Sequence, residues 1–206
     1  GTPVVETADT HPPTVLSAQL DLNDDYLNHH GSSTAGQLRV WMSETVDVST
    51  VAQAKLHLND ATGTDLVTLA AATVNAASDL PHFTVTLTEV QRVAALALSG
   101  VPGGDGSAVV LDADAAMLAD MATVAILVDD ANAVDETADT TAPQVLSATL
   151  DYNDDYLEVH GSAGGELVVW MSEIINVNLV TQGRLFLDDV AAGGHDDAVS
   201  GATLNT

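Results

Sequence analysis

Apolar and polar residues alternate with a period of two along much of the first 130 positions, the pattern of strands with one buried face. In "TVLSAQLDL", Leu16, Ala18, Leu20 and Leu22 share one face, and Val15, Ser17, Gln19 and Asp21 share the other. In "QLRVWMSE", Leu38, Val40 and Met42 oppose Arg39, Trp41 and Ser43. "HFTVTLT" sets Phe83, Val85 and Leu87 against Thr84, Thr86 and Thr88. The runs "AKLHL", "LVTL", "AVVL" and "TVAILV" predict further short strands, and the turn-forming stretches "NDD", "GSSTAG", "ATGTD" and "GVPGGDGS" separate them.

Two stretches depart from this period. Thr88 followed by Gln91 has the form of a capping box, and Glu89 suits the positive end of a helix dipole. A helix is expected over Glu89–Leu98, with Val90, Val93, Ala94 and Ala97 along one side. A second short helical turn is expected in "DADAAMLADM", Asp112–Met121. Short strands joined without βαβ alternation predict an all-β fold, an antiparallel β-sandwich with one or two short helices per repeat.

The pattern is written twice. "ETADTHPPTVLSAQLDLNDDYLNHHGSSTAGQLRVWMSETVDV" is matched by "ETADTTAPQVLSATLDYNDDYLEVHGSAGGELVVWMSEIINV". Glu6 recurs as Glu136, an offset of 130. After one deletion in the Gly/Ser loop, Leu38 recurs as Leu167, an offset of 129. A period of this size is a whole domain, longer than a solenoid unit. The expected organisation is residues 1–5 as the tail of a preceding repeat, 6–130 as a complete repeat, and 131–206 as the start of a second. That second copy lacks the counterpart of Ser78–Asp130, so the sequence reads as a window on a longer tandem array. Pro12, Pro13 and Pro143 set an extended linker at each start.

Charge narrows the partners. The chain of 206 residues carries 30 acidic residues against Arg39, Lys55, Arg92 and Arg184, a net charge of −26, while 46% of residues are apolar. The apolar share excludes a disordered acidic tail. The charge excludes nucleic acid and disfavours anionic membranes. Such a surface suits cations and is relieved by salt. A saline exterior and the interior of an extreme halophile both fit. There is no Cys, so stability comes from packing. No apolar run of 18 residues predicts a membrane helix, and the first residues have no signal-peptide pattern.

"DTTAPQVLSATLDYND" and "LVVWMSEIINV" resemble the opening of immunoglobulin-like repeats in very large surface proteins of bacteria and unicellular algae. "TLTEVQRVAALALSGVPGGDGSAVVLDADAAMLAD" resembles the middle of such units. The likeness covers nearly the whole chain and carries no catalytic motif. It implies tandem immunoglobulin-like sandwiches and a structural or adhesive role in an extracellular filament, surface hair or adhesin, with copies of the same unit as partners. The inserted "YLNHHGSSTAG" and the tryptophans Trp41 and Trp170 depart from the usual repeat, and both departures have counterparts in the two copies.

Several residues are candidates for a site. Asp21, Asn23 and Asp25, and again Asp151, Asn153 and Asp155, have the Asp-x-Asn-x-Asp opening of a calcium loop. Tyr26 and Tyr156 stand where such a loop needs Gly, and the twelfth-position Glu is missing. Solvated hairpin turns are the competing reading. Glu6, Asp9, Glu136 and Asp139 sit at the starts of the two copies, where a bridging cation such as calcium would be favoured. His29, His30 and His160 lie in Gly-flanked loops without the spacing of a zinc site. Trp41 and Trp170 fall on the face opposite the core, and either pack under the inserted loop or contact another unit. Leu146, Leu150, Val169, Met171 and Leu185 would form an open apolar face in the second copy, available for completion by a neighbouring strand. A calcium-dependent or glycan-binding adhesion module is the alternative function. Nothing resembles a nucleophile elbow or a P-loop, and no enzyme is expected.

Overall fold

The structure is a computed structural model that describes residues 2, 4–24, 35–62, 66–75, 78–151, 165–187 and 197–199. They fall into two compact units, residues 1–173 and 174–206.

The first unit contains β1 (Val15–Asp24), β2 (Ala35–Asp47), β3 (Leu56–Asp60), β4 (Leu66–Thr68), β5 (Thr73–Asn75), β6 (Leu80–Thr86), α1 (Glu89–Ala97), β7 (Val109–Ala113), β8 (Ala119–Asp120), β9 (Asp129–Thr137), β10 (Val145–Asp151) and β11 (Glu166–Met171). The first nine strands make one curled mixed sheet in the order β4-β3-β7-β9-β1-β2-β6-β5, with β8 alongside β2. The fold is mostly β, and α1 is the one α-helix among the described residues.

Strand β9 turns the corner of the sheet. Its first half is antiparallel to β7, pairing Ala113 with Asp129 and Val110 with Ala133. Its second half is parallel to β1, pairing Ala18 with Val134 and Asp21 with Thr137. A strand that changes partners midway lets a sheet fold over on itself. Leu20, Leu38 and Phe83 from one wing join Leu56, Leu58, Val109 and Leu111 from the other in a single core, and all of these side chains are buried. Each such side chain contributes about 1.5–3 kcal/mol by leaving water.

The inward faces of β2 and β6 follow the sequence alternation: Leu38, Val40 and Met42, then Phe83 and Val85, with Leu87 just beyond the end of β6, are buried. Strand β1 departs from it at its start. The register against β2 shifts between Val15 and Ser17, so Val15 is buried and Leu16 is 66% exposed. An extra residue in one strand of a pair moves side chains to the opposite face. The expected helical turn in Asp112–Met121 is not formed. Ala116 has φ +57° and its amide donates to Ile126 O, so no helical ladder can pass through it. Met117 and Leu118 are buried as a turn leading into β8. "TVAILV" makes only an isolated bridge, Ala119 to Ala125. The closing strand is instead "DDANAVDET", and the sheet is mixed where an antiparallel one was expected. The 130/131 position, expected to end the first repeat, therefore lies inside β9, and residues 131–137 complete the first sheet.

The hairpin β10–β11 repeats the local geometry of β1–β2. Ala148 faces Val169 as Ala18 faces Val40, Leu150 faces Leu167 as Leu20 faces Leu38, and the same register shift follows Val145 as follows Val15. Gly165 has φ +68° where Gly36 has φ +66°. Thr14 N donates to Ser43 Oγ at 3.0 Å, and Gln144 N donates to Ser172 Oγ at 2.9 Å.

In the second unit, 3₁₀ turns at Val177–Leu179 and Gln182–Arg184 precede β12 (Phe186–Leu187) and β13 (Asp197–Ala198), an antiparallel pair. They repeat the turns at Val48–Thr50 and Gln53–Lys55 before β3. Asn176 caps Asn178 N as Asp47 caps Ser49 N.

Candidate functional site: an arginine-centred joint

Helix α1 begins where Thr88 caps it. The Thr88 side chain accepts from Gln91 N, and the Gln91 side chain accepts from Thr88 N at 3.0 Å. Gln91 Nε2 then donates to Thr68 O at 2.9 Å and fixes the helix to β4. The side the helix buries is Gln91, Arg92, Ala95 and Leu98, whereas Val90 is 70% exposed. The expected apolar side is thus displaced toward polar residues, because those residues find partners inside.

Arg92 is 1% exposed and uses all five of its N–H donors. Nε and Nη2 donate to the two oxygens of Glu89 at 2.7 and 2.8 Å, a bidentate pair one helical turn long. Nη1 donates to Leu22 O at 3.1 Å and to Asp139 Oδ2 at 2.7 Å. Nη2 also donates to Glu173 Oε2 at 3.1 Å. The hydrogen bonds to Glu89 hold the guanidinium pKa above its ordinary value against the opposing effect of burial, with Asp139 adding to the rise. The cation is therefore permanent. Gly36 clears its path: a Cβ there would lie 3.2 Å from Arg92 Cγ.

The partners come from both copies of the repeat. Glu89 and Leu22 belong to the first. Asp139 belongs to the second "ETADT", and Glu173 to the second "WMSE". The rest of that "ETADT" is fastened too. Glu136 accepts from Gly100 N at 3.2 Å and Val109 N at 2.8 Å. Asn23 Oδ1 accepts from Thr140 N at 3.0 Å and Thr141 Oγ1 at 2.9 Å. Thr141 N donates to Asp139 Oδ1 at 2.9 Å, which leaves Oδ2 for Arg92.

This arrangement redistributes the residues proposed from sequence. Asn23 serves the joint through its carbonyl oxygen, while its backbone amide donates to Asp21 Oδ1 at 3.0 Å in a local turn. Asp151 ends β10 opposite Glu166. Asp25, Asn153 and Asp155, with His29, His30 and His160, lie outside the described residues. At Asp139 the cation that joins the copies is a guanidinium. Trp41 is half-buried between Ser17 and His82, with the Arg39 guanidinium carbon 5.8 Å from its ring centre. Trp170 is 48% exposed beside Ser147, and Val168 takes the place of Arg39. Leu146, Leu150, Val169, Met171 and Leu185 are not buried, whereas Leu20, Val40, Met42 and Leu56, the counterparts of the last four, are.

Sequence reasoning missed Arg92 and Glu173. The usable signal was scarcity: one of four basic residues among 30 acids, placed three residues after Glu89 on a capped helix. No helix among the described residues is long and apolar enough to cross a membrane. Comparison with protein-family models, curated proteins and solved structures returns no match.

Proposed function

We propose that the chain is a structural repeat segment of an extracellular filament, surface hair or adhesin. Its units are immunoglobulin-like sandwiches joined end to end, and its role is mechanical rather than catalytic. The observation that supports this most is the Arg92 joint. A buried cation with all its donors committed ties the helix of one repeat to the first residues and first hairpin of the next. A flexible linker would have no use for that arrangement. The repeated "ETADT" then has a physical role in both places, as the segment that closes one unit and opens the following one. The acidic surface suits a saline exterior, where counter-ions offset its self-repulsion.

Backbone ¹⁵N relaxation tests this reading. The hairpin β10–β11 is expected to tumble with the first repeat in the native chain and to gain independent motion in Arg92→Met. Independent tumbling in the native chain would sink the joint. Antibody labelling of intact source cells tests the location, and labelling only after permeabilisation would sink the extracellular assignment.

A further inference from the structure

The first copy carries the same acidic pair as the second. Asp9 and Glu44 stand where Asp139 and Glu173 stand, at the offsets of 130 and 129. Asp9 Oδ1 accepts from His11 N at 3.0 Å, just as Asp139 Oδ1 accepts from Thr141 N at 2.9 Å. No arginine reaches this pair among the described residues; Asp120 joins it instead. Asp9, Glu44 and Asp120 each offer a carboxylate oxygen, and these oxygens lie within 4.8 Å of one another.

Asp120 gives the cluster its meaning. It is 2% exposed. Its Oδ1 accepts from Val124 N at 2.8 Å, but its Oδ2 is buried with no hydrogen-bond partner among the described residues. A buried carboxylate oxygen without a donor, beside two further carboxylates, is strongly unfavourable unless a cation arrives. Burial, then Asp120, then Asp9 raise the Glu44 carboxyl above its usual range, with His11, whose Nδ1 lies 3.6 Å from Asp9 Oδ1, opposing the rise only in part.

We propose that Asp9, Glu44 and Asp120 form the receptor half of the same joint, and that its ligand is the guanidinium of the helix arginine of an adjoining repeat. The inference rests on reading Arg92 as an inter-repeat joint. A guanidinium is favoured over a metal ion because the counterparts Asp139 and Glu173 hold one, through an acid that makes the same backbone turn. Glu6, the counterpart of Glu136, is exposed and stands where it would accept the loop amides of that adjoining repeat.

The test exploits the identity of the two "ETADT" segments. A second copy of residues 6–135 is fused to the N-terminal side of residues 6–206, so that the seam reproduces the native junction. A double-mutant cycle is run between Arg92→Met in the added copy and Glu44→Gln in the original one. A second cycle pairs Arg92→Met with Glu173→Gln in the 206-residue chain. Coupling on the order of tenfold in the unfolding constant is expected in both. Coupling only in the second cycle overturns the receptor and leaves the joint standing. Absence from both overturns the joint and the receptor with it.

A measurement on the unextended chain guards against an added copy that does not fold. Carboxyl ¹³C signals of Glu44 and Asp120 are followed during titration with N-acetyl-arginine amide and, separately, with calcium chloride. Saturable shifts with the arginine amide, lost in Glu44→Gln, support the proposal. Saturation by calcium without response to the arginine amide, or silence to both, overturns it.

Discussion

Arg92 Nη2 and Glu173 Oε2 lie 3.1 Å apart, although 81 residues separate them in the chain. The arginine is 1% exposed and the glutamate 8%, so water does not screen the pair. Glu89 holds the other side of the same guanidinium, and Asp139 closes the ring of acids. An ion pair this deep is worth little against an apolar replacement of the whole cluster, but removing one member is costly.

Arg92→Met is therefore expected to destabilise the chain by about 3–5 kcal/mol, since three carboxylates lose a shared partner. Arg92→Lys should recover little. Three donors on a point charge cannot replace a planar fork of five. Urea unfolding of the two variants checks both statements, and a lysine variant as stable as the native chain would contradict the geometric account.

The sign of the pH dependence follows from Glu44. Its carboxyl is raised by burial, then by Asp120 and Asp9, so the folded chain holds this proton more tightly than the unfolded one. Asp130 is raised as well, by burial and then by Asp112, Asp114 and Asp129. For such acids the contribution to stability grows as pH falls through the raised value, and is complete below the ordinary carboxylate range. Glu44→Gln should raise the Tm at pH 7, and the gain should fade as the pH drops toward 4. Melting curves at several pH values decide it; a gain independent of pH would point to packing.

Salt should act on the surface and spare the joint. The net charge of −26 is spread over exposed carboxylates, and the Debye length falls from about 10 Å at 0.1 M to about 3 Å at 1 M. The native Tm is expected to rise with sodium chloride. The penalty of Arg92→Met should stay nearly constant, because that pair is already out of solvent. A penalty that disappears at 1 M would mean that the pair is open to water.

Gly36→Ala should cost about 1–2 kcal/mol through backbone strain alone, since Gly36 has φ +66°. Its Cβ would also press on Asp21 O at 3.1 Å and on Arg92 Cγ at 3.2 Å. Calorimetry should show a loss, and the ¹⁵N relaxation experiment should show a looser hairpin in the same variant.

Much of the strand pattern was legible because one face of each strand is buried. Leu38, Val40 and Met42 could hardly point anywhere but inward. Helix α1 was legible from Thr88 and Gln91, whose bonds are local. What escaped depends on residues far away in sequence. The face of α1 was misassigned because Arg92 is buried by Asp139 and Glu173, which no periodicity connects to it. Strand β9 escaped because "DDANAVDET" is polar and has only Val134 as a larger apolar residue. It is a strand because β7 and β1 each leave an edge for half of it. The inserted residue between Val15 and Ser17 leaves no compositional mark, so Leu16 was placed on the wrong face.

The parallel pairing of β1 with β9 determines how the sheet would respond to tension applied along the chain. The chain enters at the Val15 end of β1 and leaves at the Thr137 end of β9, and in a parallel pair these ends point in opposite directions. Tension along the chain slides the two strands past each other and stresses the bonds between residues 18–21 and 134–137 together. They must yield at once in shear, where a hairpin pulled from one end would unzip bond by bond. Arg92 grips Leu22 O and Asp139, each just beyond the last pair, Asp21 and Thr137. The clasp thus sits at the end of the pair from which the chain runs on into the second "ETADT" copy, the point where tension applied from that side would arrive.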